Sequence, residues 1–267
     1  MGDSRVALVT GAGGGNRGGI GSGIARCLGR AGAAIAVNDL DREYAQRTTD
    51  ELVEMGVNAV TVEGDISDPD VASSVVAQTA AAFGSVDVLV NNAGVGGRAS
   101  TLSMEPSEWS KTIAVNLSAA FYLSQAALRY MVDSQWGRII NVASVAGIRV
   151  SLLSGPAYTA SKSGLLGLTR HMAMEVGTKG VTVNAILPGL TETPLMLENT
   201  SEELRGELKT MAPIQRAASP EDHGALAVFL VSESASYLTG AAIPVDGGVS
   251  LLPGNFNEYE RARSARP

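Results

Sequence analysis

Short apolar runs alternate with longer amphipathic stretches along almost the whole chain. Several of the short runs are continuously apolar, which is typical of parallel strands that helices cover on both faces. The pattern predicts strands at residues 6–10, 34–38, 59–63, 86–91, 138–143, 182–187 and 243–246. It predicts helices at about residues 20–31, 42–55, 71–83, 108–131, 157–177 and 221–231. This alternation predicts an α/β fold with a doubly wound, parallel, seven-stranded sheet that binds ligands beyond the carboxyl ends of its strands.

Two segments interrupt this rhythm, and no change of composition marks a second domain, so residues 1–252 are expected to form a single domain. The segment of about residues 190–219 is polar and contains methionines. It follows the end of a strand, where a lid over a ligand site would lie. An ordinary surface insertion is the alternative for this segment. The tail of residues 253–267 carries arginines and has no apolar period, so we expect it to be disordered or held only by a partner subunit.

Composition and charge exclude several classes of protein. The chain has 267 residues, with 20 Lys+Arg against 27 Asp+Glu and a net charge of −7, which argues against nucleic-acid binding. The single cysteine, Cys27, excludes an internal disulfide and is expected to be a buried, inert thiol. His171 and His223 fall in predicted helices away from the strand ends, so neither a metal site nor a histidine-based mechanism is expected. The sequence has no long apolar stretch or signal-peptide pattern, which predicts a cytoplasmic protein without a membrane partner.

Glycine is overrepresented, at 31 of 267 residues, and it is concentrated after the first strand. That strand runs into the sequence Thr10-Gly11-Ala12-Gly13-Gly14-Gly15-Asn16-Arg17-Gly18-Gly19-Ile20-Gly21, which opens a predicted helix. A glycine-rich turn at this place lets backbone N–H groups approach a pyrophosphate at the helix N-terminus, and a merely flexible turn is the alternative.

An acidic residue at the end of the second strand makes the cofactor interpretation more specific. Asp39 lies 18 positions after Gly21, close to the ~20 expected of a carboxylate that binds the adenosine ribose. Because such a carboxylate repels a 2′-phosphate, the sequence favours NAD over NADP. Arg17 and Arg42 favour the opposite choice, since an arginine can neutralise that phosphate.

A tyrosine, a lysine and a serine supply the candidate chemistry. Tyr158 and Lys162 are four residues apart and share one helix face, and Ser144 follows the fifth strand at the carboxyl edge of the sheet. An ammonium and a positive nicotinamide ring would lower the pKa of the phenol from its usual ~10 and make it an acid–base group. The serine hydroxyl could hold the substrate oxygen. This set suits hydride transfer between NAD and a secondary alcohol or ketone.

With these residues, the sequence resembles the short-chain dehydrogenase/reductase family from Val6 to about Leu252. The matching motifs, in chain order, are the Thr10-Gly11 loop, Asp65 after the third strand, Asn91-Asn92-Ala93-Gly94, Asn116 in Val115-Asn116-Leu117, Ser144, Tyr158-x-x-x-Lys162, Pro188-Gly189 with Thr191 and Thr193, and Asp246-Gly247-Gly248. The resemblance implies a Rossmann-like fold and a homotetramer. We expect the helices 108–131 and 157–177 to pack between subunits through small residues: Ala119, Ala120, Ala126, Ala127, Gly164 and Gly167.

The resemblance also implies a role for each matching position. Tyr158 would be the acid–base residue, Ser144 the partner of the substrate oxygen, and Lys162 a ribose binder that tunes the tyrosine. Asn116 would hold a water that links Lys162 to solvent. The cofactor contacts would come from Gly11, Asn16, Gly19, Ile20, Asp39, Leu40, Asp65, Ile66, Asn92, Ala93, Gly94, Tyr158, Lys162, Pro188, Gly189, Thr191 and Thr193. Among them, Asp65 and Ile66 would contact the adenine, and the last four would bind the nicotinamide amide and the pyrophosphate.

The glycine-rich loop departs from the family pattern. The family usually has three residues between the first glycine and the glycine of Gly-Ile-Gly, whereas seven separate Gly11 from Gly19. Gly15 is the alternative second glycine, with residues 16–19 as the insertion. The loop is also similar to that of the divergent enoyl reductases of the superfamily. Those enzymes space their tyrosine and lysine more widely, so Tyr158-x-x-x-Lys162 argues against that subgroup.

We therefore expect an NAD-dependent oxidoreductase that acts on a secondary alcohol or ketone. A 3-oxoacyl-thioester reductase is the alternative among enzymes, and a non-catalytic dinucleotide-binding protein is the alternative outside them. The substrate would lie among residues 96–98, 145–154 and the lid, whose apolar side chains favour a hydrophobic or cyclic substrate: Val145, Ile148, Val150, Leu152, Leu153, Leu195 and Met196. Arg149 is expected to be a solvent-exposed loop residue, with contact to an anionic substrate group as the alternative.

Overall fold

A seven-stranded parallel sheet forms the centre of the computed structural model, which describes residues 5–14, 18–151, 153–193, 196–197, 200–251 and 256–264. The strands are β1 (Val6–Thr10), β2 (Ala34–Asp39), β3 (Ala59–Glu63), β4 (Val88–Asn91), β5 (Gly137–Val142), β6 (Val181–Pro188) and β7 (Ala242–Val245). Their order is β3-β2-β1-β4-β5-β6-β7, and every pairing is parallel. The predicted Rossmann-like, doubly wound α/β sheet is therefore confirmed. The order reverses between β1 and β4, and open α/β sheets bind ligands at such a switch point.

Helices connect the strands at nearly the predicted places. They are α1 (Ile20–Arg30), α2 (Arg42–Glu54), α3 (Pro69–Phe83), α4 (Pro106–Ile113), α5 (Ala119–Asp133), α6 (Pro156–Val176), α7 (Glu202–Thr210), α8 (Pro220–Val231) and α9 (Phe256–Ser264). Asp41 and Asp68 accept hydrogen bonds from the first free N–H groups of α2 and α3, which fixes where these helices begin. The single helix expected over residues 108–131 is wrong in detail, because the π-helical turn Ala114–Ser118 separates α4 from α5.

Side-chain alternation along the strands divides the core into two layers. Leu8 packs on one face of the sheet with α3, α5 and α6, whereas Ala7 and Val9 pack on the other face with α1, α2 and α8. This packing corrects the expected subunit contact. The alanines assigned to it are buried in the chain's own core, and Gly164 faces Leu117 of the same chain. The buried alanines are Ala119, Ala120, Ala126 and Ala127.

The segment of residues 190–219 and the C-terminal tail each contain a helix that the sequence pattern did not predict. The α7 helix lies within residues 190–219, and α9 lies in the tail. The Phe256 N–H donates to the Met211 carbonyl at 3.1 Å, and Asn257 Nδ2 donates to Thr210 Oγ1 at 3.0 Å. The expectation that the tail is disordered or held only by a partner is therefore wrong for residues 256–264. Among the helices of the described ranges, none has the length and apolar character needed to cross a bilayer.

Candidate active site

A cavity of about 1130 Å³ at the carboxyl ends of the strands contains almost every predicted site residue. This volume exceeds the roughly 300–1,000 Å³ of sites for drug-sized ligands, so it has room for more than one small molecule. The predicted residues that line it are Gly11, Gly19, Ile20, Asp39, Leu40, Asp65, Ile66, Asn92, Ala93, Gly94, Ser144, Tyr158, Lys162, Pro188, Gly189, Thr191 and Thr193. Asn116 lies behind the wall, and Asn16 is outside the described residues.

The glycine-rich loop and the start of α1 form a corner suited to an anion. Gly11 has a φ of +59°, and a Cβ there would lie 2.7 Å from the Cα of Ala93, so only glycine fits between β1 and β4. The first turn of α1 carries no acidic side chain, which leaves the positive end of its dipole uncompensated. A pyrophosphate fits this corner. Gly19 lines it, whereas Gly15, the alternative second glycine, lies outside the described residues.

Asp39 ends β2 with its carboxylate fixed by the backbone. Oδ2 accepts a hydrogen bond from the Gly13 N–H at 2.9 Å, and Oδ1 accepts one from the Asp41 N–H at 3.2 Å. Of the two arginines that favoured NADP, Arg42 pairs with Glu63 on the surface at 3.4 Å, and Arg17 lies outside the described residues. The carboxylate therefore lies in the cavity without an arginine partner among the described residues.

Hydrogen bonds join the ends of β1 and β4 beneath the cavity. Asn92 Nδ2 donates to the carbonyls of Thr10 at 2.8 Å and Gly11 at 3.0 Å. Thr10 Oγ1 in turn accepts from the N–H groups of Asn92 and Ala93 at 3.1 and 3.2 Å. The switch point is therefore rigid where a cofactor would cross it.

Tyr158, Ser144 and Lys162 meet on one wall of the cavity. The Tyr158 phenol is hydrogen-bonded to the Ser144 hydroxyl, whose oxygen also accepts from the Ala146 N–H at 3.1 Å. Lys162 Nζ donates to the Val142 carbonyl at 2.8 Å and lies 5.7 Å from the centre of the Tyr158 ring. The fold thus brings together the three side chains that the sequence analysis grouped.

Burial changes the pKa of both titratable groups on this wall. It raises the pKa of Tyr158 above its ordinary value, while the hydrogen bond to Ser144 acts to lower it. Burial also lowers the pKa of Lys162 to about 8. In the protein alone the pKa of Tyr158 is therefore raised, because loss of solvation of the phenolate is the largest effect, and its lowering beside a bound nicotinamide stays a prediction. Burial favours a neutral Tyr158.

Asn116 supports the wall from behind, in the π-helical turn. Its Oδ1 accepts from the Val95 N–H at 2.8 Å, and its Nδ2 donates to the Val95 carbonyl at 2.9 Å and to Ser161 Oγ at 3.1 Å. A Cβ on Gly94 would lie 3.4 Å from Asn116 Oδ1 and 3.5 Å from Lys162 Nζ, so both side chains neighbour this glycine. The role of Asn116 in holding a water stays a prediction.

His223 lies next to the cavity wall, although its place in the sequence suggested otherwise. It is fully buried at the start of α8, and its Nε2 lies 2.9 Å from Oγ1 of Thr191, which lines the cavity. Burial lowers the pKa of His223 to about 4, so it contacts Thr191 as a neutral ring at pH 7. His171, in contrast, is exposed and pairs with Glu175 at 3.2 Å. The sequence showed the helix but not that its first turn packs beneath the loop after β6.

The wall expected to hold the substrate is less apolar than predicted. Of the seven apolar residues, Val145, Leu153 and Met196 line the cavity. Ile148 and Val150 are 52% and 78% exposed and do not line it, and Leu152 and Leu195 are outside the described residues. Arg149, expected to be solvent-exposed, is half-buried and lines the cavity. Further residues that no sequence motif marked also line the cavity: Lys111, Ala114, Thr200, Leu208, Met211 and Val249.

The cavity has the features of a nucleotide-binding oxidoreductase site. In the described part of the chain, no group of three or more His, Cys, Asp or Glu side chains could hold a metal ion. A corner suited to an anion, a carboxylate at the end of β2 and a tyrosine–lysine pair are the features that a nicotinamide dinucleotide and its substrate require.

Comparison with known proteins identifies the family. The family model described as enoyl-(acyl carrier protein) reductase matches residues 13–250. A cyclohexanol dehydrogenase of Acinetobacter sp. strain SE19 is 36% identical over 247 residues, which cover 92% of this chain and 94% of that protein. The 3-oxoacyl-(acyl-carrier-protein) reductase FabG of Vibrio cholerae is 37% identical over 251 residues, which cover 94% of this chain and 99% of that protein.

A solved structure from Sinorhizobium meliloti 1021, assigned as a short-chain alcohol dehydrogenase, superposes on this chain with a TM-score of 0.86. The two sequences are 37% identical, and the match covers 92% of this chain and 96% of that one. The chain belongs to the short-chain dehydrogenase/reductase family. It is accordingly an oxidoreductase of a family that binds a nicotinamide cofactor.

The buried His223 predicts a specific loss of stability in acid. Because its pKa is lowered from 6.5 to about 4, the unfolded chain takes up a proton that the folded chain refuses between these pH values. The shift corresponds to roughly 3 kcal/mol of folding free energy lost as the pH falls through this window. Urea unfolding from pH 4 to 8 should show that His223→Gln weakens this dependence, whereas His171→Gln leaves it unchanged. Parallel curves for wild type and His223→Gln would contradict the assignment.

Proposed function

We propose that this protein is an NAD-dependent oxidoreductase that transfers a hydride between the nicotinamide and a secondary alcohol or ketone. The observation that supports this most is the half-buried Tyr158, hydrogen-bonded to Ser144 and carried on the same helix as Lys162, on the wall of the cavity that also contains Asp39. A non-catalytic dinucleotide-binding protein would not need this set of side chains.

The chain's own groups account for the movement of the proton. A substrate oxygen at this wall can hydrogen-bond to Ser144 and Tyr158 together. In ketone reduction, Tyr158 donates its proton to that oxygen, and burial favours the protonated form that this step needs. In alcohol oxidation, the phenolate accepts the hydroxyl proton, and the Lys162 ammonium stabilises the phenolate. A bound nicotinamide would accept or supply the hydride.

The preference for NAD rests on Asp39. The Gly13 N–H holds its Oδ2 at 2.9 Å, which fixes the carboxylate at the end of β2, where the ribose hydroxyls would donate to it. A 2′-phosphate at that place would meet a negative charge at short range. Arg42 does not offset this charge, because it pairs with Glu63.

A reductase of 3-oxoacyl thioesters is the second candidate. The Vibrio cholerae relative carries that name, and the same serine and tyrosine would serve the reaction. Turnover of acetoacetyl-CoA together with little turnover of free secondary alcohols would favour this candidate over the first.

Removal of the phenol hydroxyl should abolish turnover without removing the cofactor. We expect Tyr158→Phe to lower kcat for alcohol oxidation by roughly 10²–10⁴-fold, since it deletes the acid–base group, and to leave NADH binding intact. Absorbance at 340 nm measures the rate, and NADH fluorescence measures binding. Tyr237→Phe, a change at a fully exposed tyrosine, should alter neither quantity. Unchanged turnover in Tyr158→Phe would refute the mechanism.

Loss of the Asp39 carboxylate should relax cofactor choice. Because it removes a like charge facing the 2′-phosphate, Asp39→Ala should raise kcat/KM for NADP relative to NAD by at least about tenfold. The control is Asp70→Ala, a change at an exposed carboxylate in the first turn of α3. An unmodified protein that already prefers NADP would show that the ribose argument is wrong.

We further propose that the protein is a cytoplasmic homotetramer assembled through the outer faces of α5 and α6. Phe121 and Met174 are 44% and 86% exposed there, and Phe121, Leu128 and Met172 line a groove between the two helices. A second copy that covers this apolar surface would stabilise the assembly. Sedimentation should give a tetramer that Phe121→Glu dissociates into smaller species. A monomeric wild-type protein would rule out this assembly.

A further inference from the structure

Charge is unevenly distributed along the cavity. Its lining carboxylates, Asp39 and Asp65, follow β2 and β3, where the adenosine would lie. The part lined by the loop after β4, by α4 and by the loop after β5 contains Arg98, Lys111 and Arg149, and no described Asp or Glu lines that part. The whole chain has a net charge of −7. The positive residues at one end of the cavity are therefore opposite in sign to the net charge of the protein. Positive charge lining a cleft raises the local concentration of anions.

Arg149 is fixed in place by hydrogen bonds to the backbone. Its Nη1 donates to the Val249 carbonyl at 2.7 Å, and its backbone N–H donates to the Val145 carbonyl at 3.0 Å. Its Nε is buried without an acceptor, and within the described ranges no carboxylate lies at ion-pair distance from the guanidinium. A half-buried guanidinium without a counter-ion is costly. Its remaining N–H donors match the two oxygens of a carboxylate or phosphate.

Lys111 adds a second cation from a different element. It lies in the last turn of α4, exposed at the cavity, and none of the ion pairs of the described residues involves it. Glu108, one turn earlier on the same helix, places its carboxylate against Gly97 and does not line the cavity. The flexible lysine is suited to attracting an anion, whereas the anchored arginine is suited to orienting it.

We infer that the substrate of the proposed alcohol–ketone reaction carries an anionic group, a carboxylate or a phosphate, that binds to Arg149. This inference rests on the proposed function and narrows its substrate class. In oxidation, the alcohol carbon loses a hydride to the nicotinamide and the hydroxyl loses its proton to Tyr158, so the product is the ketone with its anionic group unchanged. Arg149 therefore determines specificity at a distance from the reacting carbon. The anion is either part of a small hydroxy or keto acid or the phosphate of a thioester carrier.

An anionic substrate and its neutral methyl ester test the inference. With NAD, kcat/KM for cis-4-hydroxycyclohexanecarboxylate should exceed that for its methyl ester by about 10–100-fold, and Arg149→Met should bring the ratio near one. Arg149→Lys should give an intermediate ratio, because it keeps the charge and loses the paired donors. Arg30→Met, a change at an exposed arginine of α1 outside the cavity lining, should keep the wild-type ratio. The ester is the internal control for a disturbed cavity wall. A parallel assay with 3-hydroxybutyryl-CoA distinguishes the phosphate of a thioester carrier from the carboxylate of a small acid.

Binding of an unreactive probe separates this inference from the proposed function. In the presence of NADH, calorimetry should show that cyclohexanecarboxylate binds at least tenfold more tightly than cyclohexanecarboxamide, and that Arg149→Met removes the difference. Equal affinities of acid and amide for the wild-type protein would overturn the inference even if neutral alcohols are oxidised. If no alcohol or ketone turns over but the acid still binds through Arg149, the anion site stands and the proposed reaction fails.

Discussion

The hydrogen bond from the buried Lys162 ammonium to the Val142 carbonyl fixes the relative position of the proposed catalytic groups. It joins α6 to the last residue of β5, so it sets the distance between Tyr158, one helical turn before Lys162, and Ser144, two residues after Val142. A buried ammonium is costly unless it is hydrogen-bonded, so this bond also makes the burial of Lys162 tolerable. Gly94 lies beside Nζ, and a Cβ there would be in ordinary van der Waals contact with it at 3.5 Å.

Along the carboxyl edge of the sheet, two other glycines lie where a Cβ would collide with a neighbouring group. A Cβ on Gly189 would lie 2.7 Å from the Cα of Asp246, and one on Gly21 would collide with the Asn92 amide. Each glycine allows two backbone segments, or a backbone and a side chain, to approach closely at the edge where the cavity opens. The high glycine content of the chain thus reflects in large part how closely the strand ends and the turns after them are packed.

The sequence could predict features that depend on the periodicity of apolar residues and on the spacing of motif residues. It could predict little about which side chains of an irregular loop face the cavity and which face solvent. The positions of the strands follow from apolar runs, and the shared helix face of Tyr158 and Lys162 follows from the i,i+4 geometry of a helix. The loop after Ser144 has no such period, so the exposure of Ile148 and the burial of Arg149 could not be read from it. His223 was missed because its contact with Thr191 depends on how α8 packs, which no local pattern encodes.

Burial acts in opposite directions on the pKa values of the two proposed catalytic partners, raising that of Tyr158 and lowering that of Lys162. Both shifts disfavour charge, so the pair taken alone favours a neutral tyrosine. A positive charge that enters with a ligand favours the phenolate, whereas a negative charge favours the ammonium. The protonation state of this wall therefore depends on the charge of what binds. Asp39 and Arg149 lie in different parts of the cavity. A charged group of a ligand can therefore bind near either residue without neutralising Tyr158, the proposed acid–base group.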